Sequence, residues 1–380
     1  MPTAPRERLL ALDVFRGATV ASMLLVNNPG SWAAIYPPLA HAAWHGWTPT
    51  DLIFPFFLFI VGVTTHLSAE ARRARGDDEG AILRQVLTRG ALIILFGWLL
   101  AAFPLWPLTR ITESRIPGVL PRIGLAYIGA ALLTRRGSLQ GQVITLVALL
   151  YGYWFAMTLL PVPGQGGIGA NLIDDPSRSL AAWLDRLLLD GHLWRSSRSW
   201  DPEGILSTVP AIGTAMLGVF TGRWLSSGRP LAERLNGLFV AGAIAMMLGL
   251  MWHWSFPINK SLWTSSYVLF TGGLAAVSIA TIMWITDVQR VTKWTGFFVT
   301  YGLNPMVAFL GSGLMAKLIY SLVRIEVEGR QVAVQAVIYR GAFASWLAPR
   351  DASLAFALCF VLFWYAVLRV LQRRGIVFKV

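Results

Sequence analysis

His41-Ala-Ala-Trp-His45-Gly-Trp-Thr-Pro-Thr-Asp51-Leu-Ile-Phe-Pro-Phe-Phe-Leu-Phe-Ile-Val-Gly62 couples a titratable entrance to an apolar run. Continued to residue 69, that run reaches the roughly 20 apolar residues needed to cross a bilayer as a helix. Polar, ionisable groups beside hydrocarbon are expensive and mark functional sites. Working outward, comparable runs recur almost end to end. Spans are expected near 10–28, 50–69, 86–104, 118–134, 142–160, 204–222, 235–253, 264–285, 297–318 and 352–371. That makes ten, or eleven if 319–351 holds a re-entrant piece. The expected fold is an all-α polytopic membrane bundle, residues 1–380 forming a single domain with two long external connections, 161–203 and 319–351.

Composition agrees. Of 380 residues, 55% are hydrophobic and 13% charged, and 17 Trp suit aromatic belts at two membrane interfaces. The net charge of +13 does not point to nucleic acid, because the basic residues sit between apolar runs without a basic helix or stacking motif. A single cysteine, Cys359, excludes an internal disulfide framework and a Cys-based metal site. The residues up to Arg8 are too short and polar for a cleaved signal, so the first run is read as a retained span.

The basic residues also set an expected orientation. Arg72, Arg73, Arg75, Arg84 and Arg89; Arg135 and Arg136; Arg223, Arg229 and Arg234; Arg290 and Lys293; and Arg373, Arg374 and Lys379 fall on one side of a ten-span chain, together with Arg6 and Arg8. Residues 29–49 contain no Lys or Arg. Both termini are therefore expected in the cytoplasm, with His41 and His45 on the far side.

Several residues carry candidate chemistry. His41 and His45, four apart, have a zinc-like spacing, but Gly46 and Pro49 argue against a regular helix through them and no metal is expected. Asp51 can cap the second span or orient an imidazole for base work. Asn27 and Asn28 end the first span; they can cap it or donate to a developing oxyanion. Asp13 and Arg16, three apart, can neutralise each other, or leave Arg16 for an anionic ligand. Asp201 and Glu203 precede the sixth span, where they favour a helix N-terminus or draw in a cation. Lys260 lies in a similar external position before the eighth. Asn304-Pro305 breaks the ninth span, as in helices that line a cavity. The 161–203 connection reads as a lid or substrate platform, with a passive connector as the alternative.

Taken together these segments resemble the heparan-alpha-glucosaminide N-acetyltransferase family of transmembrane acyltransferases, bacterial members included. The matching residues are Leu12-Asp13-Val14-Phe15-Arg16-Gly17, Val26-Asn27, the His41–Pro55 stretch, Arg115-Ile-Pro-Gly-Val-Leu-Pro-Arg122-Ile-Gly, Asp201-Pro-Glu203-Gly-Ile-Leu-Ser-Thr, Ile258-Asn-Lys260-Ser-Leu-Trp-Thr-Ser-Ser-Tyr267 and Tyr301-Gly-Leu-Asn304-Pro. They run in family order. The sequence looks like a bacterial inner-membrane member without the luminal N-terminal domain of lysosomal enzymes. The resemblance implies acetyl transfer from cytosolic acetyl-CoA to the amine of glucosamine, or of a glucosamine-terminated glycan, across the membrane. Mapped by motif, His41 is the catalytic base and Asn27 the donor to the thioester oxygen, with Asp51 behind His41. Arg16, Arg89 and Arg122 would meet the phosphates of CoA. Asn28, His45, Asp201, Glu203, Lys260 and Asn304 would receive the acceptor. His45 stands where lysosomal members carry Asn. A homodimer is also implied. The competing readings are a permease for N-acetylglucosamine, which has no reason to bind acetyl-CoA, and a transferase with another acyl donor or a cell-envelope acceptor.

Overall fold

The computed structural model describes residues 9–378. Arg6, Arg8 and Lys379, used above for orientation, lie outside the described residues. Helices account for most of the rest: α1 (Leu10–Asn27), α2 (Ile53–Arg73), α3 (Glu79–Ala102), α4 (Thr109–Thr112), α5 (Val119–Thr134), α6 (Leu139–Leu159), α7 (Leu180–Leu189), α8 (Ile205–Leu225), α9 (Leu231–Trp252), α10 (Ser265–Met283), α11 (Thr295–Leu303), α12 (Pro305–Lys317), α13 (Val334–Tyr339) and α14 (Pro349–Arg373). Two antiparallel hairpins interrupt them, β1 (Pro161–Val162) with β2 (Gly167–Ile168) and β3 (Arg324–Val327) with β4 (Arg330–Ala333). Among the described residues nine helical segments are long and apolar enough to cross a membrane, and α5 is a shorter apolar helix. The protein is a multi-pass, all-α membrane protein.

The break expected at Asn304-Pro305 is present. Proline lacks a backbone donor and disfavours helical geometry in the residue before it, and Asn304 leaves the helix at φ −127°, ψ 55°. The span drawn over 297–318 is thus two helices. Only the second, continued through a π turn to Leu322, is long enough by itself. The 319–351 connection holds the β3–β4 hairpin and α13, and the 161–203 connection holds β1–β2 and α7.

The described chain falls into two compact units, residues 9–40 with 277–378, and residues 41–276, one boundary lying inside α10. In the first unit, α1 packs on α11 with almost no side chain between them. A Cβ on Gly17 would sit 1.7 Å from the Phe298 carbonyl oxygen, and one on Gly302 2.3 Å from that of Asp13. Small residues that let backbones touch are the usual means of packing helices where lipid removes the hydrophobic drive.

The second unit is built the same way around α2 and α8. A Cβ on Gly62 would lie 1.9 Å from the Ala215 oxygen, and one on Gly218 2.0 Å from that of Phe59. Phe59 therefore faces Gly218 and Val63 faces Gly222, so α2 and α8 run parallel. Arg122 reaches Ser207 and Gly129 faces Ile212, which makes α5 parallel to α8 as well. Three helices thus begin at one end of the unit and finish at the other. Asp51, Arg122 and Glu203 mark the starts; Arg73, Arg135 and Arg223 mark the finishes.

Candidate active site

At the starting end, the chain from His41 enters α2 through a 3₁₀ turn, Pro49–Leu52. Thr48 and Asp51 form a capping box around that turn. One carboxylate oxygen of Asp51, Oδ2, accepts from the Ala42 and Thr48 amides, each at 3.0 Å, and from the Thr48 hydroxyl at 3.1 Å. The other, Oδ1, lies 2.6 Å from Nδ1 of His41. Every partner of the carboxylate is a donor or able to be one, so Asp51 acts as an ionised acceptor and the Nδ1 proton belongs to His41. Nε2 then carries the lone pair of the neutral ring. Asp51 side-chain exposure is 1% and that of His41 is 48%, so the orienting group is sealed while the oriented ring stays open. Both roles weighed for Asp51, cap and orienter, are filled by different oxygens of one carboxylate. The Asp51 carbonyl in turn accepts from the buried Tyr267 hydroxyl.

Lys260 stands over this pair. Its Nζ is 3.3 Å from Nδ1 and 3.3 Å from Nε2 of His41. An atom equidistant from both nitrogens at that range cannot lie in the ring plane without colliding with Cε1, so the amine sits over the ring face. The loop presenting it is rigid. Asn259 accepts from the Leu262 amide at 2.9 Å and its own amide donates to Thr264 Oγ1 at 3.0 Å. Trp263, at φ 51°, is held in the left-handed region by its indole N–H bond to Thr214 and by Phe54 and Tyr267 packed edge-on. Burial lowers the Lys260 pKa, opposed by the negative charges of Glu203 and Asp51.

His45 faces the 161–203 connection. Its Nε2 lies 2.9 Å from Asp174 Oδ1, and Asn259 Nδ2 is 3.4 Å from its Nδ1. Trp44 donates to the Ile173 carbonyl at 2.9 Å and packs edge-on against Trp200. The left-handed Gly46, at φ 95°, makes the turn that lets its amide bond Ile258.

Asp201 and Glu203 share the same end, both buried. Arg115 binds them together, with Nε 2.8 Å from Asp201 Oδ2 and its terminal nitrogen bonding both carboxylates. Asp201 also accepts from the Trp194 and Glu203 amides. Burial works against both charged forms, yet the pairing holds Glu203 below and Arg115 above the usual range. Arg122 lies beneath, 1% exposed, bonded to Ser207 and the Gly204 carbonyl and stacked 5.1 Å over Trp263. Asp185, buried nearby on α7, accepts from the Ile205 amide at 2.9 Å, and burial pushes its pKa up to about 6. Gly204 has to be glycine here, because a Cβ would come 2.0 Å from the Asp185 carboxylate.

Within unit two, the structure thus gathers His41, His45, Asp51, Arg122, Asp201, Glu203 and Lys260 at one end. It adds Arg115, Asp185 and Trp263, which are not among the site residues expected from the sequence. Arg115 opens the Arg-Ile-Pro-Gly motif and Trp263 lies within the Ile258–Tyr267 segment, which were the available signals; Asp185 had none, being an ordinary member of a helix. Arg89 sits elsewhere on α3, with no hydrogen bond or ion pair among the described residues. In unit one, Arg16 pairs with Asp13 at 2.6 Å. Asn28 caps α1 by donating to the Leu24 carbonyl at 2.8 Å. Asn27 is exposed and its amide makes no bond among the described residues. Asn304 is buried and ties down the chain end, donating to Ile376 O at 3.1 Å and accepting from Phe378 N at 2.9 Å.

The finishing end of unit two holds a cavity of about 290 Å³, lined by His66, Arg73, Glu79, Arg135, Gln142 and Arg223 among others. Glu79 pairs with both Arg73 and Arg135, and Gln142 accepts from Arg223 at 3.0 Å.

A family model described as heparan-alpha-glucosaminide N-acetyltransferase, catalytic, matches residues 8–258. The chain belongs to that family. Heparan-alpha-glucosaminide N-acetyltransferase from Homo sapiens is 32% identical over an alignment 352 residues long that covers 80% of this chain and 52% of the human protein. The Mus musculus protein of the same name is 30% identical over an alignment 353 residues long that covers 80% of this chain and 53% of its own length. The chain therefore spans about half the length of the curated relatives it matches. Membership covers the His41–Asp51 pair and the Arg115–Asp201–Glu203 cluster, while Lys260 and Asn304 lie beyond the matched stretch.

Proposed function

We propose that this family member is a membrane N-acetyltransferase that moves acetyl from acetyl-CoA to the amine of glucosamine or a glucosamine-terminated glycan. The observation that carries the reading is the open His41 ring fixed by a sealed, ionised Asp51. A glucosamine amine is largely protonated near neutral pH and must lose a proton to attack. Histidine titrates in the range where it can accept one. The ammonium first releases one proton to solvent; with Nδ1 committed to Asp51, Nε2 then takes the second as the neutral amine nitrogen bonds to the thioester carbon. The carbon–sulfur bond then breaks, and the CoA thiolate leaves with the proton returned by the imidazolium. Asn27 presents a free exposed amide, the group an oxyanion donor requires. Direct transfer is preferred to an acetyl-His41 intermediate, because an imidazole hydrogen-bonded to a carboxylate is set up as a base.

The carboxylates at the His41 end suit an acceptor that arrives as an ammonium ion, with His45 and the aromatic residues of 161–203 forming its platform. Asn28 and Asn304, whose amides are engaged locally, would act on the acceptor only indirectly. The basic finishing end of unit two suits the phosphates of CoA. Arg73, Arg135 and Arg223 line its cavity and are, with Arg89, the phosphate contacts proposed within unit two; Arg16 is kept as a separate proposal in unit one. Arg122 belongs by position to the acceptor end. The same proposal puts the finishing end in the cytoplasm and the His41 end outside, in a bacterial inner membrane. A homodimer is part of the same proposal.

Acetyl transfer from radiolabelled acetyl-CoA to glucosamine, with the full chain purified in detergent, tests this directly. Transfer that is lost in His41→Ala while acetyl-CoA binding persists is the expected result. Folded protein that neither binds acetyl-CoA nor labels any amino sugar would overturn it and favour a permease.

A further inference from the structure

The amine nearest the candidate base belongs to the protein itself. A base that takes a proton from an attacking amine must lie within hydrogen-bond reach of that nitrogen. Lys260 Nζ stands 3.3 Å from Nε2, over the ring face rather than in the plane where the Nε2 lone pair points, so a small side-chain rotation brings it to that position. An acceptor amine and the Lys260 amine cannot both occupy it. The electrostatics of the two are also alike, since Lys260 feels the carboxylates of Glu203 and Asp51 that would draw in an amino sugar. Its loop is braced by Asn259, Thr264 and the buried Trp263, so the side chain is presented rather than loosely tethered.

Resting on the acetyl-transfer reading above, we propose that Lys260 is an acetyl acceptor in its own right, modified at the site when no amino sugar is bound. The Lys260 ammonium releases one proton to solvent. The neutral nitrogen then attacks the carbonyl carbon of the CoA thioester, its second proton passing to His41 Nε2. The carbon–nitrogen bond forms, the carbon–sulfur bond breaks, and the thiolate leaves as free CoA with the proton from His41. The product is a neutral amide over the His41 ring. It carries no positive charge to balance Asp51 and Glu203, and it stands where the acceptor amine must come. Unlike an acetyl-imidazole it does not pass its acetyl group on, so the modified site is closed.

Detergent-purified full-length protein, incubated with acetyl-CoA in the absence and presence of glucosamine, provides the test. Peptide mass spectrometry should find one acetyl group on Lys260, less of it when glucosamine is present, and none in His41→Ala. Later turnover should fall in proportion to the modified fraction, while Lys260→Arg, which keeps the cation, should show no such time-dependent loss. Acetyl transfer to glucosamine with Lys260 unmodified after prolonged incubation without acceptor would overturn the inference and leave the transferase reading standing. Absence of both reactions from folded protein would overturn both. Acetyl found on His41 but not on Lys260 would overturn it in favour of a covalent relay.

Discussion

The two ends of unit two are made from the same helices and differ in chemistry throughout. Where α2 and α8 begin, Asp51, Asp201 and Glu203 gather; where α2, α5 and α8 finish, Arg73, Arg135 and Arg223 do. Carboxylates near helix N-termini and cations near C-termini both complement the helix dipole. The parallel run of the three helices sets these charges at opposite ends of the unit, but at the starting end Arg115, Arg122 and Lys260 stand among the carboxylates and balance them. The charges also differ in how they are held. At the finishing end Arg73 and Glu79 are well exposed, an ion pair of the kind worth little for stability. At the starting end Asp201 and Glu203 are sealed beneath Arg115 and Asp51 beneath His41. Function that needs a fixed proton path calls for the second kind of order. Function that needs only positive charge near a phosphate is served by the first.

The sharpest way to break the comparison is through the base. His41→Ala should lower kcat for acetyl transfer by about 10²–10⁴, the usual contribution of a general base, with acetyl-CoA affinity measured by titration unchanged. Next, Arg115→Met removes the cation from two buried carboxylates. Losing one partner of a buried pair costs on the order of 3–5 kcal/mol, so a large fall in Tm in detergent is expected. The matching substitution at the other end, Arg73→Met, should barely move it. Equal effects would mean the two ends are held alike.

A smaller effect separates the ends kinetically. Arg223→Gln should raise KM for acetyl-CoA by roughly tenfold, the scale of one charge-assisted phosphate contact, and leave KM for the amine unchanged. A change in the amine KM instead would remove the donor from that cavity.

The smallest concerns pH. Asp185 has its folded pKa raised from 3.8 to about 6 by burial. A raised acid contributes stability below its unfolded pKa and loses it as pH rises through the folded value. Glu203, held below its ordinary 4.5, stays ionised between pH 5 and 7 and adds no slope there. Asp185→Asn should therefore gain in Tm relative to the parent by a few degrees as pH goes from 5 to 7. A constant offset would show that Asp185 does not titrate in that window.

The order of residues is enough to settle the class of fold, because a run of apolar residues long enough to span hydrocarbon admits only a helix when every backbone group must be bonded internally. It also determined the break at Asn304, since proline's missing donor acts locally, and it singled out His41, Asp51 and Lys260 by motif. Long-range packing alone sets which oxygen of Asp51 caps and which orients, puts Lys260 over the His41 ring, and seats Arg122 with the carboxylates at the starting end. Arg115 was legible only as a motif letter until its partners, 86 and 88 residues away, were in place. The reason is one of range. Helix formation and capping are settled by neighbours a few residues apart. A buried charge is settled by whatever the close packing of Gly62 on α8 brings within reach of it.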